Sequence, residues 1–129
     1  MELVNSPTRG SRDLPTNADH KAKAAHNEDF VKEIDNPFFD WKICGMFYVA
    51  VHYVDAYLAK VFSFHPSSHA VRTGAVQRDA KLKPIFDDYR ELLNESRTAR
   101  YEFIPFGLGD VARLQRHLDR VKSTLSPLI

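Results

Sequence analysis

The sequence predicts an all-α fold: a four-helix up-down bundle with one additional short helix. Three observations carry that prediction. Apolar residues recur with a 3.6-residue period through the most apolar segments. No segment shows the strict apolar–polar alternation of a half-buried strand. Five glycines in 129 residues, none of them in a phosphate-loop pattern, argue against a nucleotide-binding α/β fold. The length allows one domain, read as residues 17–129 behind a flexible tail of residues 1–16. That tail mixes Pro, Gly, Ser and Thr with scattered apolar residues, too few to offset the entropy of ordering.

The first helix starts at Asn17, with Thr16 or Asn17 as its N-cap. Ala22, Ala25, Phe30 and Ile34 are its expected apolar positions. Asp35-Asn36-Pro37 ends it, because proline disfavours helical geometry at the residue before it. Residues 38–62 form the strongest element. Only Asp40, Lys42, Asp55 and Lys60 carry full charge there, and Ile43, Met46, Phe47, Ala50, Val54, Tyr57, Leu58 and Val61 form a wide stripe. Such a helix belongs at the centre of a bundle. After the loop SFHPSS, Ser67 or Ser68 caps a short helix running from His69 through Ala80 and bending near Lys83-Pro84. Pro84 to about Glu102 is a third main helix with Ile85, Phe86, Tyr89, Leu92, Leu93 and Ser96 on one face. Its charges, Asp87 and Asp88 included, are expected mostly away from that face. FIPFGLG interrupts the pattern. A last helix starts at Asp110 or in the loop before it, with Val111, Leu114, Leu118, Val121 and Leu125 as its seam.

Composition excludes several functions. Lys plus Arg number 18 against 17 Asp plus Glu, a net charge of +1, so bulk charge does not hold this chain to nucleic acid or to an anionic membrane. The longest uncharged apolar stretch, residues 43–54, is 12 residues, where a span needs roughly 18 or more. The start of the sequence has no apolar core of a secretory signal. A lone cysteine, Cys44, fits a reducing cytoplasm and excludes a disulfide scaffold or a Cys-rich zinc module.

Four groups of residues have the chemistry of a site. Tyr48, His52 and Asp55, spaced by four and three, share a face of the central helix, where Asp55 could orient the imidazole of His52. The alternative is a polar stripe that closes hydrogen bonds inside the bundle. His65 and His69 are separated by Pro66 and lack supporting carboxylates or thiols, so no metal and no cofactor is expected. His69 and Arg72, by contrast, share the first turn of the short helix and suit an anion. Their alternative is capping and a surface ion pair. Arg97, Arg100 and Tyr101 end the third main helix, where cations are favoured by the macrodipole, or where they contact phosphate while Tyr101 stacks on a base. Arg113, Arg116, His117 and Arg120 form a stripe opposite the apolar seam of the last helix, the ordinary character of a solvated face.

FYVAVHYVDAYL, then SSHAVR, then YRELLNESRTARY is similar to the HEPN family of small bacterial and archaeal helical domains, in particular to the branch whose third helix ends in an Arg-rich, Tyr-terminated pattern. The resemblance covers residues 38–102. It implies a four- or five-helix bundle, often a homodimer. It further implies a role as an RNA-cleaving toxin, as a partner of a nucleotidyltransferase, or as a non-catalytic binding domain in stress and defence. Ribonucleases of that family share an Arg followed after four to six residues by a His. No arginine of this sequence has a histidine at that distance; Arg113 and His117 are one residue short.

The expected function is therefore a module that binds RNA, a nucleotide or an antitoxin-like protein partner without turnover. The alternative is a divergent metal-independent ribonuclease using His69, Arg72 and His52. A structural adaptor is the third reading. A homodimer is expected, with the His69/Arg72 region near its symmetry mate and with Phe62, Phe64, Phe103 and Phe106 at the interface. The opposing expectation is that FIPFGLG folds back and buries its own phenylalanines.

Overall fold

The structure, a computed structural model, describes residues 13–129. Five α-helices follow one another: α1 (Asn17–Glu33), α2 (Phe39–Phe62), α3 (His69–Arg78), α4 (Phe86–Tyr101) and α5 (Leu108–Leu125). Short 3-10 turns at Lys83–Ile85 and Ser126–Leu128 follow α3 and α5. There is no strand among the described residues. Of the expected tail, residues 1–12 lie outside the described residues, and residues 13–16 have no regular secondary structure.

The cap signals in the sequence act as written. Asp19 N donates to Thr16 Oγ1 at 3.1 Å, and Thr16 N donates to Asp19 Oδ2 at 2.8 Å, a reciprocal capping box. Ser68 Oγ accepts from Val71 N at 3.1 Å and starts α3. α5 begins at Leu108, two residues before the aspartate: Asp110 is the N3 residue, accepting from Gly107 N at 2.9 Å. α3 stops at Arg78 rather than Ala80. The Asp79 side chain accepts from Lys81 N and Leu82 N, which turns the chain into the 3-10 segment containing Pro84. α4 accordingly starts at Phe86.

α2 is the axis. It packs against α1, α4 and α5, while α4 and α5 pack on each other. Pairings of His20 with His52 and of Val31 with Gly45 make α1 antiparallel to α2. Those of Cys44 with Ser96 and Phe47 with Tyr89 do the same for α4. Arg113 to Glu91 and Arg120 to Asp88 make α5 antiparallel to α4. This is the up-down-up-down order, with α3 as the extra short helix. The core is built from the seams read in the sequence: Ile43, Met46, Phe47, Ala50 and Val54 meet Leu92, Leu114, Leu118, Val121 and Leu125, all at 0 or 1% exposure.

Two faces differ from expectation. α1 buries His20, Ala24 and Val31, and leaves Ala22, Ala25 and Phe30 exposed. Its face is chosen by what α2 offers: Gly45 lacks a side chain, and a Cβ there would meet Val31 Cγ2 at 2.8 Å and Phe30 Cδ2 at 3.0 Å. α1 therefore sits close to α2 at Gly45, which places Val31 rather than Phe30 in the core. On α4, Asp88 is buried rather than solvent-facing, because Arg120 Nε (2.6 Å) and His117 Nδ1 (2.8 Å) reach it from α5.

Candidate functional site

The polar side chains concentrate where α2, α3 and α4 meet. Asp55 is buried on the central helix, and Arg72 of α3 grips it side-on: Nε to Oδ1 at 2.7 Å and Nη2 to Oδ2 at 3.0 Å. The two side chains are 9 and 10% exposed. A paired geometry is what makes a charge tolerable at that depth. The pairing also explains why α3 stays in place, since Arg72 and Val76 are its buried residues.

Arg72 has a third contact, Nη1 to His69 Nδ1 at 3.0 Å. A guanidinium only donates, so Nδ1 of His69 accepts, and the neutral ring carries its proton on Nε2. Burial, followed by the charges of Arg72, Arg100 and Arg97, holds His69 below the ordinary imidazole range. The same charges place Arg97 and Arg100 within electrostatic reach of His69. Tyr48 and Phe47 flank the ring, with centroids 6.2 and 5.4 Å from it. Arg100 is half-buried, donating to Ser96 Oγ at 2.6 Å and lying 5.4 Å from the Tyr101 ring centroid. Arg97 is exposed. Neither arginine forms an ion pair among the described residues. Cys44 is buried against Ser96, to whose carbonyl its thiol donates at 3.8 Å. Burial pushes that thiol up, and Arg100 partly opposes the shift.

Tyr89 completes the floor. Its phenol is fully buried beside Arg72 and Thr73 without a hydrogen bond of normal geometry, and burial pushes it up to about 12.

His52 is not oriented by Asp55, the arrangement that i, i+3 spacing suggested, because both oxygens of Asp55 are turned to Arg72. His52 Nδ1 instead meets Nδ1 of His20 at 3.1 Å, the rings stacked at 5.4 Å. One ring must donate and the other accept. Burial first, then the neighbouring His20, pushes His52 down to about 4; His20 is also lowered, chiefly by burial. His20, His52 and Asp55 each bring a ligand atom to within 4.8 Å of the others. His20 was absent from every sequence-derived group. Its signal was the spacing of His20, Ala24, Asn27 and Val31, which marks one face of α1.

Beyond His52 the α1–α2 seam opens into a groove of about 380 Å³, walled by Phe30, Trp41 and Tyr48 with Lys23, His26 and Asn27 at its polar edge. His65 lies in the loop after α2, close enough to His20 to depress it.

The α5 stripe does not join this cluster, and Arg113 and His117 are partly buried, while Arg120 is exposed yet still paired. Arg113 spans Glu91 and Glu95 at 2.5 Å each, while His117 and Arg120 bind Asp88. Those bonds clip α4 to α5 across the bundle. Arg116 remains on the surface.

Of the phenylalanines expected at an interface, Phe106 packs against the core and Phe103 stands fully exposed, with Phe62 and Phe64 also exposed. The FIPFGLG loop thus partly buries one of its two rings and leaves the other in solvent. No helix among the described residues is long and apolar enough to cross a membrane. Compared with known proteins, the chain matches no family model, no curated protein and no solved structure.

Proposed function

We propose that this chain is a HEPN-like helical module that binds single-stranded RNA through its phosphates, without turnover, at the surface formed by His69, Arg97, Arg100 and Tyr101. One observation carries the reading: Arg97 and Arg100, which have no acidic partner among the described residues, bring two cations within electrostatic reach of His69, whose Nε2–H is left to donate. Unneutralised arginines beside a neutral donor suit a phosphodiester, and the rings of Tyr48 and Tyr101 offer faces on which a base can stack. Arg72 plays a different part. Its charge is matched by Asp55, so it positions His69 rather than meeting the ligand.

The same geometry supports binding over catalysis. A general base at His69 would need a free ring nitrogen, and Nδ1 is already accepting from Arg72. In this reading the protein works in the cytoplasm as a homodimer with the exposed Phe62, Phe64 and Phe103 at or near the two-fold contact. Its setting is stress or defence, beside a nucleotidyltransferase or an antitoxin-like partner. Fluorescence anisotropy with a labelled oligoribonucleotide tests it. The wild type binds, and Arg97→Ala with Arg100→Ala weakens binding by at least about tenfold, given roughly 1.5–3 kcal/mol for a hydrogen bond to a charged group. Equal binding by the two proteins refutes the site. Cleavage of the oligoribonucleotide that is lost in His69→Ala refutes the absence of turnover.

A further inference from the structure

We propose that His20 and His52, with Asp55, hold a divalent transition-metal ion of the zinc class at the α1–α2 seam. The three ligands are not residues of the RNA surface, although Arg72 contacts both Asp55 and His69, and the proposal does not rest on RNA binding. The two Nδ1 atoms are 3.1 Å apart. Two nitrogens bound to one tetrahedral zinc at about 2.0–2.1 Å stand about 3.3–3.4 Å apart. The rings therefore already hold nearly the spacing that an ion between them requires. Asp55 brings a carboxylate oxygen, and each histidine a ring nitrogen, within 4.8 Å of one another, so three donors converge from two helices.

The surroundings have the form of a supported metal site. A carboxylate offers about four lone-pair positions, and Arg72 occupies two, leaving others for an ion. The side-on grip of Arg72 fixes the orientation of Asp55, and His69 in turn contacts Arg72. Outer contacts of this kind hold a ligand in the geometry that the metal needs. His20 and Asp55 are buried, whereas half-buried His52 lines the groove that opens to solvent past Lys23 and Asn27, giving the ion a way in. Two nitrogens and one oxygen leave a fourth position for water or for a ligand in the groove. On binding, the ring that donates the Nδ1–Nδ1 hydrogen bond moves its proton to Nε2, so neither neutral imidazole needs to lose a proton overall.

The test uses the full chain and zinc ions alone. Competition with a chromophoric chelator at neutral pH is expected to show one zinc per chain. His20→Gln and His52→Gln should each weaken it by at least about tenfold, since even outer-contact changes cost about 10–100-fold. His26→Gln, at the edge of the same groove, should leave affinity unchanged. Long-range proton–nitrogen NMR of the histidine rings supplies a readout that needs no substitution: zinc should move the Nδ1 resonances of His20 and His52 and not those of His26. Lack of saturable one-per-chain binding, binding retained in the His20→Gln/His52→Gln double variant, or zinc-induced shifts confined to other histidines would each overturn the proposal.

Discussion

Arg72→Met isolates the contact on which α3 depends. The substitution removes a guanidinium that makes two hydrogen bonds to Asp55, at 2.7 and 3.0 Å, with both side chains about nine-tenths buried. What remains is a buried carboxylate with its partner gone, a change that costs about 3–5 kcal/mol. For a domain of this size each kcal/mol is worth roughly 4 °C, so Tm should fall by about 12–20 °C. Asp55→Leu should cost a comparable amount by stranding the guanidinium. The double variant Asp55→Leu/Arg72→Met removes both charges and keeps the volume, and it should recover most of the loss, because apolar replacements of a whole buried pair are often neutral or stabilising. Chemical denaturation of the four proteins gives the coupling energy directly. Limited proteolysis adds a local readout: α3 and the loop after α2 should become cleavable in Arg72→Met before the rest of the bundle. Single variants within about 1 kcal/mol of wild type would show that the pair is solvated and that α3 is anchored by something else.

Three smaller changes test other parts of the fold. Ser63 ends α2 at φ 51°, ψ 36°, a left-handed conformation that costs a non-glycine residue about 1 kcal/mol, so Ser63→Gly should raise the denaturation free energy by about that much. No gain would mean that the serine is relaxed there. Gly45→Ala should lower stability by about 1 kcal/mol, because its Cβ meets the stiff Val31 side chain at 2.8 Å; overpacking of about 1–3 kcal/mol exceeds the roughly 1 kcal/mol gained in helix propensity. Unchanged or greater stability would show that α1 moves away freely. Tyr89, buried, and Tyr57, which is buried and donates to Asp79 Oδ2 at 2.9 Å, are both pushed up to about 12. With an unfolded value near 10, their contribution to stability is complete below pH 10 and is lost as pH rises toward 12, which ultraviolet titration of the phenols and alkaline unfolding should both show. Early ionisation of both phenols, near pH 10 in the folded protein, would contradict that environment.

The long periodic elements were legible because one face of each is nearly all apolar. α2 and α5 could be placed from Ile43, Phe47 and Val54, and from Leu114, Leu118 and Leu125, without knowing any partner. α1 was not legible in that way. Its alanines look alike from every side, and the face was decided by the missing side chain of Gly45 on another helix. The polar pairings failed for a related reason. Asp55 and Arg72 were both picked out as chemically active, yet their union joins two helices across a loop, and local spacing favoured His52 as the partner of Asp55. Asp88 looked like one more surface charge until Arg120 and His117, 32 and 29 residues away, reached it. The N-caps at Thr16 and Ser68, which act over three or four positions, were read more reliably than any contact between helices.

The central claim is that Arg97 and Arg100 form an unneutralised phosphate-binding surface next to His69. The salt dependence of oligoribonucleotide binding measures it most directly. For single strands the slope of log K against log salt is about 0.7 per phosphate neutralised, so removing both arginines should make the slope shallower by about 1.4 while also weakening binding. A wild-type slope that Arg97→Ala/Arg100→Ala leaves unchanged would contradict the account.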